Sequence, residues 1–182
     1  MKLNISLFFL GTILSFTALK AQEACADSSS FYIYHGEYMP QLVIIHNGKA
    51  SYHSLQEDMK GEEMKFECEL RQLNDRGPKE LILKWSIAIY GSGGGMNYAG
   101  LSIWDLEADS LLFKANTYCS EESFGRHGGE RFLHSCEIPI EFLENGIKIN
   151  KRECQGFELE TLEDLQDYCL LKDLKPGIIS FR

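Results

Sequence analysis

The chain is expected to fold as a mainly β protein, an antiparallel meander or sandwich of about nine strands with at most one short helix near the C-terminus. Three observations predict this. Apolar and polar side chains alternate with period two along most of the chain, the signature of a strand with one buried face. Clusters rich in Gly, Asn, Asp and Pro separate the alternating runs. A hydrophobic content of 44%, with 12% aromatic, supplies enough apolar surface for a packed core across 182 residues.

Each strand follows from its own pattern. Gln41–His46 and Ala50–Ser54 flank Asn47-Gly48, a dipeptide that readily supplies the positive φ angles of a tight hairpin turn. Met64, Phe66, Cys68 and Leu70 alternate with Lys65, Glu67 and Glu69. Leu81, Leu83, Trp85, Ile87 and Ile89 repeat the beat after the turn Asn74-Asp75-Arg76-Gly77-Pro78. Leu101–Leu106 and Leu111–Tyr118 flank the acidic turn Glu107-Ala108-Asp109-Ser110, expected to be a solvated hairpin tip. Ile138–Leu143 and Ile147–Asn150 flank Glu144-Asn145-Gly146, and Pro139 marks an edge strand or bulge. Ile178–Phe181 closes the series. Helical character is confined to Thr161–Tyr168, where a cap and apolar spacing allow two turns.

The domain plan is simple. Residues 1–21 read as a signal peptide: Lys2, an apolar stretch from Ile5 to Leu19 too short for a permanent span, and small Ala21 before the expected cut. Residues 22–30 are a flexible lead-in, and residues 31–182 form one disulfide-stabilised β domain. Cleavage removes two lysines and no acid, so the formal charge of -9 for the whole chain becomes more negative. The expected location is therefore secreted or periplasmic, with no membrane span after cleavage.

Six cysteines, Cys25, Cys68, Cys119, Cys136, Cys154 and Cys169, all follow the expected cut, and an even number in a small exported chain implies up to three disulfides. None has Cys-x-x-Cys spacing, which disfavours a structural zinc site or a thioredoxin-type pair. Sequence cannot choose among the connectivities. Cys119 with Cys136 brackets one polar loop, and Cys154 with Cys169 brackets the last irregular segment.

Acidity bears on partners. With 18 basic against 27 acidic residues, the chain lacks the cations that neutralise phosphates, so nucleic acid is excluded as an expected partner. The negative charge instead suits encounter with a basic extracytoplasmic protein, and the aromatics suit a carbohydrate.

Chemistry-bearing motifs are few. Gly91-Ser92-Gly93-Gly94-Gly95 matches neither a dinucleotide fingerprint nor a P-loop, because a strand and not a helix follows. It is a connection between strands or a mobile binding loop, giving Gly93, Gly94 and the nearby Tyr98 as binding candidates. The polar run Ser120–Arg131 contains Arg126 and His127, with Glu121, Glu122 and Glu130 beside them. These could serve acid–base chemistry, although no nucleophile accompanies them. No catalytic residue, metal ligand set or cofactor is assigned.

Gln72–Leu83 resembles the calcium-loop-plus-strand motif of FG-GAP and VCBS-type β-propeller blades over about a dozen residues, in one copy. The resemblance implies a propeller-blade-like strand–turn–strand and places Gln72, Asn74, Arg76 and Glu80 at ligand positions. A cation at Arg76 cannot ligate calcium, so what is implied is shape and not metal. Ile103-Trp104-Asp105-Leu106 is similar to the end of a WD-repeat strand, again once. The expectation is a non-enzymatic binding or inhibitor-like module; the alternatives are a small secreted hydrolase around His127 and a structural surface component.

Overall fold

The computed structural model describes residues 30–35, 40–55, 64–74, 77, 79–125, 131–156 and 174–181. The expected signal peptide, the helix at Thr161–Tyr168, Arg126, His127, Cys25 and Cys169 lie outside the described residues.

The described chain is β throughout, in twelve strands: β1 (Phe31–His35), β2 (Pro40–His46), β3 (Lys49–Ser54), β4 (Lys65–Arg71), β5 (Glu80–Tyr90), β6 (Gly94–Asp105), β7 (Ser110–Phe124), β8 (Arg131–Glu137), β9 (Ile140–Leu143), β10 (Gly146–Ile149), β11 (Glu153–Gln155) and β12 (Gly177–Ser180). All pairings are antiparallel. They form a six-stranded sheet in the order β11-β8-β7-β6-β5-β4 and two three-stranded sheets, β1-β2-β3 and β12-β10-β9.

Strict alternation explains why the long sheet has two cores. Leu81, Leu83, Trp85 and Ile87 of β5 point to the same side as Phe66 of β4 and Tyr98 and Trp104 of β6, and pack with Phe31, Leu42 and Ile44 of the β1-β2-β3 sheet. The intervening Ile82, with Leu101, Ile103, Phe113 and Ala115, faces the opposite side and packs on Ile147 and Ile149 of β10 and on Phe181. Fully burying one such aliphatic side chain is worth roughly 1.5–3 kcal/mol, so each face can hold a covering sheet.

Turn chemistry is as expected where it is local. Residues Asn47 and Gly48 adopt φ of 50° and 74° between the paired His46 and Lys49, the two-residue hairpin that Asn-Gly favours. At the β6–β7 turn the Asp105 carboxylate accepts the Glu107 and Ala108 N–H groups at 2.9 and 2.8 Å, and Asp109 has φ 51°. Pro139 immediately precedes β9, which is an edge strand.

Three strands exceed the expected nine: β1, β8 and β11. The β6 strand also begins at Gly94 rather than Leu101, and β7 runs on to Phe124. β1 does alternate, Phe31 and Ile33 toward the core against exposed Tyr32 and Tyr34, but β11 and the end of β7 are mainly polar and β6 opens on two glycines. Backbone pairing with a neighbour already in place orders them, as Gly94↔Ser123 and Asn97↔Ser120 show.

Disulfide pairing departs from the bracketing argument. Cys136 bonds Cys154, with Cα atoms 4.1 Å apart, which rules out both Cys119–Cys136 and Cys154–Cys169. The reason is register. Cys119, Cys136 and Cys154 stand side by side on β7, β8 and β11, so Cys136 has a cysteine on either flank and joins the one on the edge strand. Cys68 and Cys119 are disulfide-bonded as well, and no described cysteine is free.

Candidate functional site

The site grows out of the face of the central sheet that carries Trp85. Register sets Trp85 opposite Gly100, so the indole spreads over a position without a side chain. Two residues along β6 is Ser102, which lies opposite Lys114 of β7, and two further is Trp104, opposite Leu111. Between these rows β7 carries one extra residue at each of two register shifts, Ala99/Gly100 and Ile103/Trp104. Such bulges bend and twist a strand locally, and here they bracket the segment holding Ser102. Across from it, β3 brings in Tyr52, His53 and Ser54, and Leu55 follows directly after the strand. The walls enclose a cavity of about 420 Å³, in the size range of small-ligand pockets.

Polar contacts hold this cavity in shape. His53 Nε2 is 2.7 Å from Asp109 Oδ1, and the Ser51 hydroxyl donates to the same oxygen at 2.8 Å. The tip of the β6–β7 hairpin is thereby fastened to β3, so Asp109 is not the free, solvated tip residue that composition suggested. The His53 ring lies 4.7 Å from the Trp104 ring, tilted by 51°, and Trp104 Nε1–H donates to Ser102 Oγ at 2.8 Å. Desolvation is the largest influence on Asp109 and pushes its carboxyl up. The hydrogen bonds from His53 and Ser51, with the charges of His53 and His46, outweigh it and hold the pKa below the ordinary carboxylate value.

Ser51, His53 and Asp109 are the residue types of a hydrolase triad, but their order is wrong for one. A nucleophilic relay needs the imidazole between the hydroxyl and the carboxylate. Here the hydroxyl and the imidazole both spend themselves on one carboxylate oxygen, so the group fastens two elements together.

Trp85 completes the cavity and carries its anomaly. The side chain is only 9% exposed, yet its Nε1–H has no hydrogen-bond partner. Buried donors are nearly always satisfied, and one left bare costs about 1–3 kcal/mol.

The candidates drawn from sequence fall elsewhere. Gly93 belongs to the β5–β6 turn and Gly94 opens β6; there Gly91 N–H donates to Gly94 O at 2.8 Å and Phe124 N–H to Gly93 O at 2.9 Å. With Glu121 and Glu122 they line a shallower depression of about 400 Å³. The ends of the two glycine-containing loops thus meet at one end of the central sheet. That end lies roughly 25 Å from the tryptophan cavity, eight residues along β6 at a strand's rise. Tyr98 is buried, its hydroxyl donating to Met96 Sδ at 3.4 Å. Burial, then the nearby Glu121 charge, pushes its pKa up, so it serves as a core residue. At the motif resembling a calcium loop, the buried Glu80 carboxylate accepts Leu73 N–H at 2.7 Å and the Asn74 side-chain amide, while Gln72 donates to Asn74 O at 2.7 Å. Those oxygens bind the chain's own donors. Among the described residues no group of three or more His, Cys, Asp and Glu is placed to hold a metal ion.

No family model, curated protein or solved structure matches this chain. Its function has to be argued from the site itself.

Sequence reading missed His53, Ser102 and Lys114, which are separated by up to 61 positions and meet only through sheet register. One signal was visible: Trp85 sits on the predicted apolar face of one strand and Trp104 in the strand expected next.

Proposed function

We propose that this chain is an exported, disulfide-stapled β module that binds a small ligand and catalyses no reaction. The observation that carries the proposal is the ligand-sized cavity of about 420 Å³ walled by both tryptophans. The His53–Asp109–Ser51 arrangement supports binding over catalysis, because it rigidifies the rim and leaves no activated hydroxyl. Export is supported by the leader-like N-terminus and by the disulfides, which persist in oxidising compartments. The acidic surface that favours a basic protein partner is a property of the whole chain, and it would steer encounters without filling this cavity.

The test uses the protein's own fluorophores. Both tryptophans wall the cavity, so intrinsic emission reports on its contents without a label. A panel of monosaccharides, disaccharides, amines, alcohols and carboxylic acids should contain compounds that shift the emission saturably and raise Tm with concentration. A panel in which nothing moves either signal, up to 10 mM (about ten times a weak 1 mM Kd), removes the small-ligand reading.

A further inference from the structure

Independently of the binding reading, we infer the whole disulfide map: beside Cys136–Cys154, Cys68 bonds Cys25 and Cys119 bonds Cys169, so that every cysteine is oxidised within one chain. Cys68 and Cys119 are each disulfide-bonded. They cannot bond each other. Cys68 of β4 and Cys119 of β7 belong to the same core, but β5 and β6 lie between their strands, a separation of about 14 Å at the usual strand spacing. Register widens the gap, because Cys68 aligns through Leu83 with Ser102 of β6 while Cys119 aligns with Tyr98. A disulfide holds its Cα atoms roughly 4.4–6.8 Å apart. With Cys136 and Cys154 bonded to each other, Cys25 and Cys169 are the partners that remain among the six.

Position in the fold assigns one to each. Phe31 shares a cross-strand row with Ile44 and Ser51, and the Ser51 hydroxyl donates to Asp109 at the β6–β7 turn. The start of β1 therefore lies toward that end of the central sheet. The Cys68 row crosses β6 at Ser102, near the turn, and the Cys119 row crosses it at Tyr98, about 13 Å further away. Cys25 precedes Phe31 by six residues, a reach of about 20 Å at full extension, and Cys68 is the nearer sulfur. The other end of the chain agrees. Cys154 of β11 stands in register with Cys136 and, through it, with Cys119. From β11, Cys119 is two strands away, about 10 Å, and Cys68 is five, about 24 Å. Cys169 therefore closes onto Cys119.

The map bears on how the protein is made and held. Six thiols become three disulfides by passing six electrons and six protons to three molecules of a disulfide-bearing oxidant, each of which leaves as a dithiol. A reducing compartment would keep the thiols, so the fold is completed after export. Cys25 has to survive leader removal, which the cut expected after Ala21 allows. Its sulfur, spent on Cys68, carries no lipid thioether, so the body is not anchored to a membrane through Cys25.

Non-reducing peptide mapping of the exported protein tests this, after unfolding in guanidinium with an alkylating agent present. No cysteine should take the label before reduction, and all six should take it afterwards. Digestion has to cut at Glu as well as at Lys and Arg, because no basic residue separates Cys154 from Cys169. Fragments linking Cys25 to Cys68 and Cys119 to Cys169 are expected. Cys25→Ser should then expose one thiol, at Cys68, and Cys169→Ser one thiol, at Cys119. Labelling is done on unfolded chains, so neither result depends on how stable the variant is, and the map of the unaltered protein decides alone if a variant is not recovered. Cys25 linked to Cys119, a labelled or lipid-bearing Cys25, a mature chain that begins after Cys25, or chains joined to one another would each overturn the map.

Discussion

Gly100 of β6 stands opposite Trp85 of β5, and the indole occupies the space a side chain there would need. A Cβ at Gly100 would lie 2.5 Å from Trp85 Cζ2 and 2.4 Å from the Ala115 carbonyl oxygen, the second of which is backbone and cannot swing aside. Gly100→Ala is thus expected to destabilise by about 1–3 kcal/mol, the usual cost of overpacking. It should also turn the Trp85 ring, and with it the wall of the cavity. Urea unfolding gives the first, and a changed emission maximum with weakened ligand binding gives the second. A stable variant with unchanged emission would show that the close approach is dispensable.

The β4–β5 turn depends on one buried carboxylate. Glu80 is 1% exposed and binds Leu73 N–H and the Asn74 amide. Glu80→Ala removes the acceptor of both bonds from a dry place, an expected loss of about 3 kcal/mol. For a domain of this size that corresponds to a fall in Tm of roughly 6–12 °C. Calcium and a chelator should leave the Tm of the unaltered protein where it is, since the carboxylate's oxygens are committed to the chain. Differential scanning calorimetry measures both, and a calcium-dependent rise in Tm would reverse the argument.

Legibility in the sequence tracked the locality of the forces. The Asn47-Gly48 hairpin and the alternation in β4 and β5 could be read directly, because turn chemistry and period two act over a few residues. The ends of β6 and β7 could not, since Ser120–Phe124 is mainly polar and held by the ladder it joins, and in Gly94–Gly100 only Met96 and Tyr98 reach the core among glycines and Asn97. The same reason hid the site. His53 reaches Asp109 across 56 positions, and Ser102 meets Lys114 only once the β6–β7 register and its two bulges are set. Trp85 was visible as an apolar-face residue, but that its Nε1–H lacks a hydrogen-bond partner is a fact of packing.

The Cys136–Cys154 bridge encloses β9 and β10 in a loop of sequence separation 18. It ties the hairpin that covers one face of the central sheet to that sheet's edge. In the chain-entropy account, closing a loop of this length contributes about 3 kcal/mol by restricting the unfolded chain. The double substitution Cys136→Ser/Cys154→Ser should lower the unfolding free energy by that order and leave the tryptophan emission unchanged, because the cavity lies on other elements. Peptide mapping without reductant should recover these two cysteines in one linked fragment. Recovery of Cys136 linked to Cys119 would contradict this pairing, since the register sets a cysteine on either side of Cys136.

Acid should loosen the cavity rim before it unfolds the protein. The Asp109 carboxyl has its pKa held below the ordinary value by His53 and Ser51. A group whose folded pKa is depressed contributes stability that is present above the unfolded pKa, near 3.9, and lost as pH falls through the lower folded value. The contribution is therefore complete at pH 6 and declines below about pH 4. Its size should be under about 1 kcal/mol, because the Asp109 side chain is 36% exposed and solvent screens the pair. Asp109→Asn removes the titrating group while keeping a hydrogen-bonding side chain. Its Tm should be slightly lower than that of the unaltered protein at pH 6, and the two curves should converge toward pH 2–3. Ligand affinity, which depends on β3 staying in place over Trp104, should weaken in the same acid window in the unaltered protein and less in the variant. Parallel Tm curves with a constant offset down to pH 2 would mean that Asp109 carries no pH-linked stability and that the fastening of β3 rests on its packing alone.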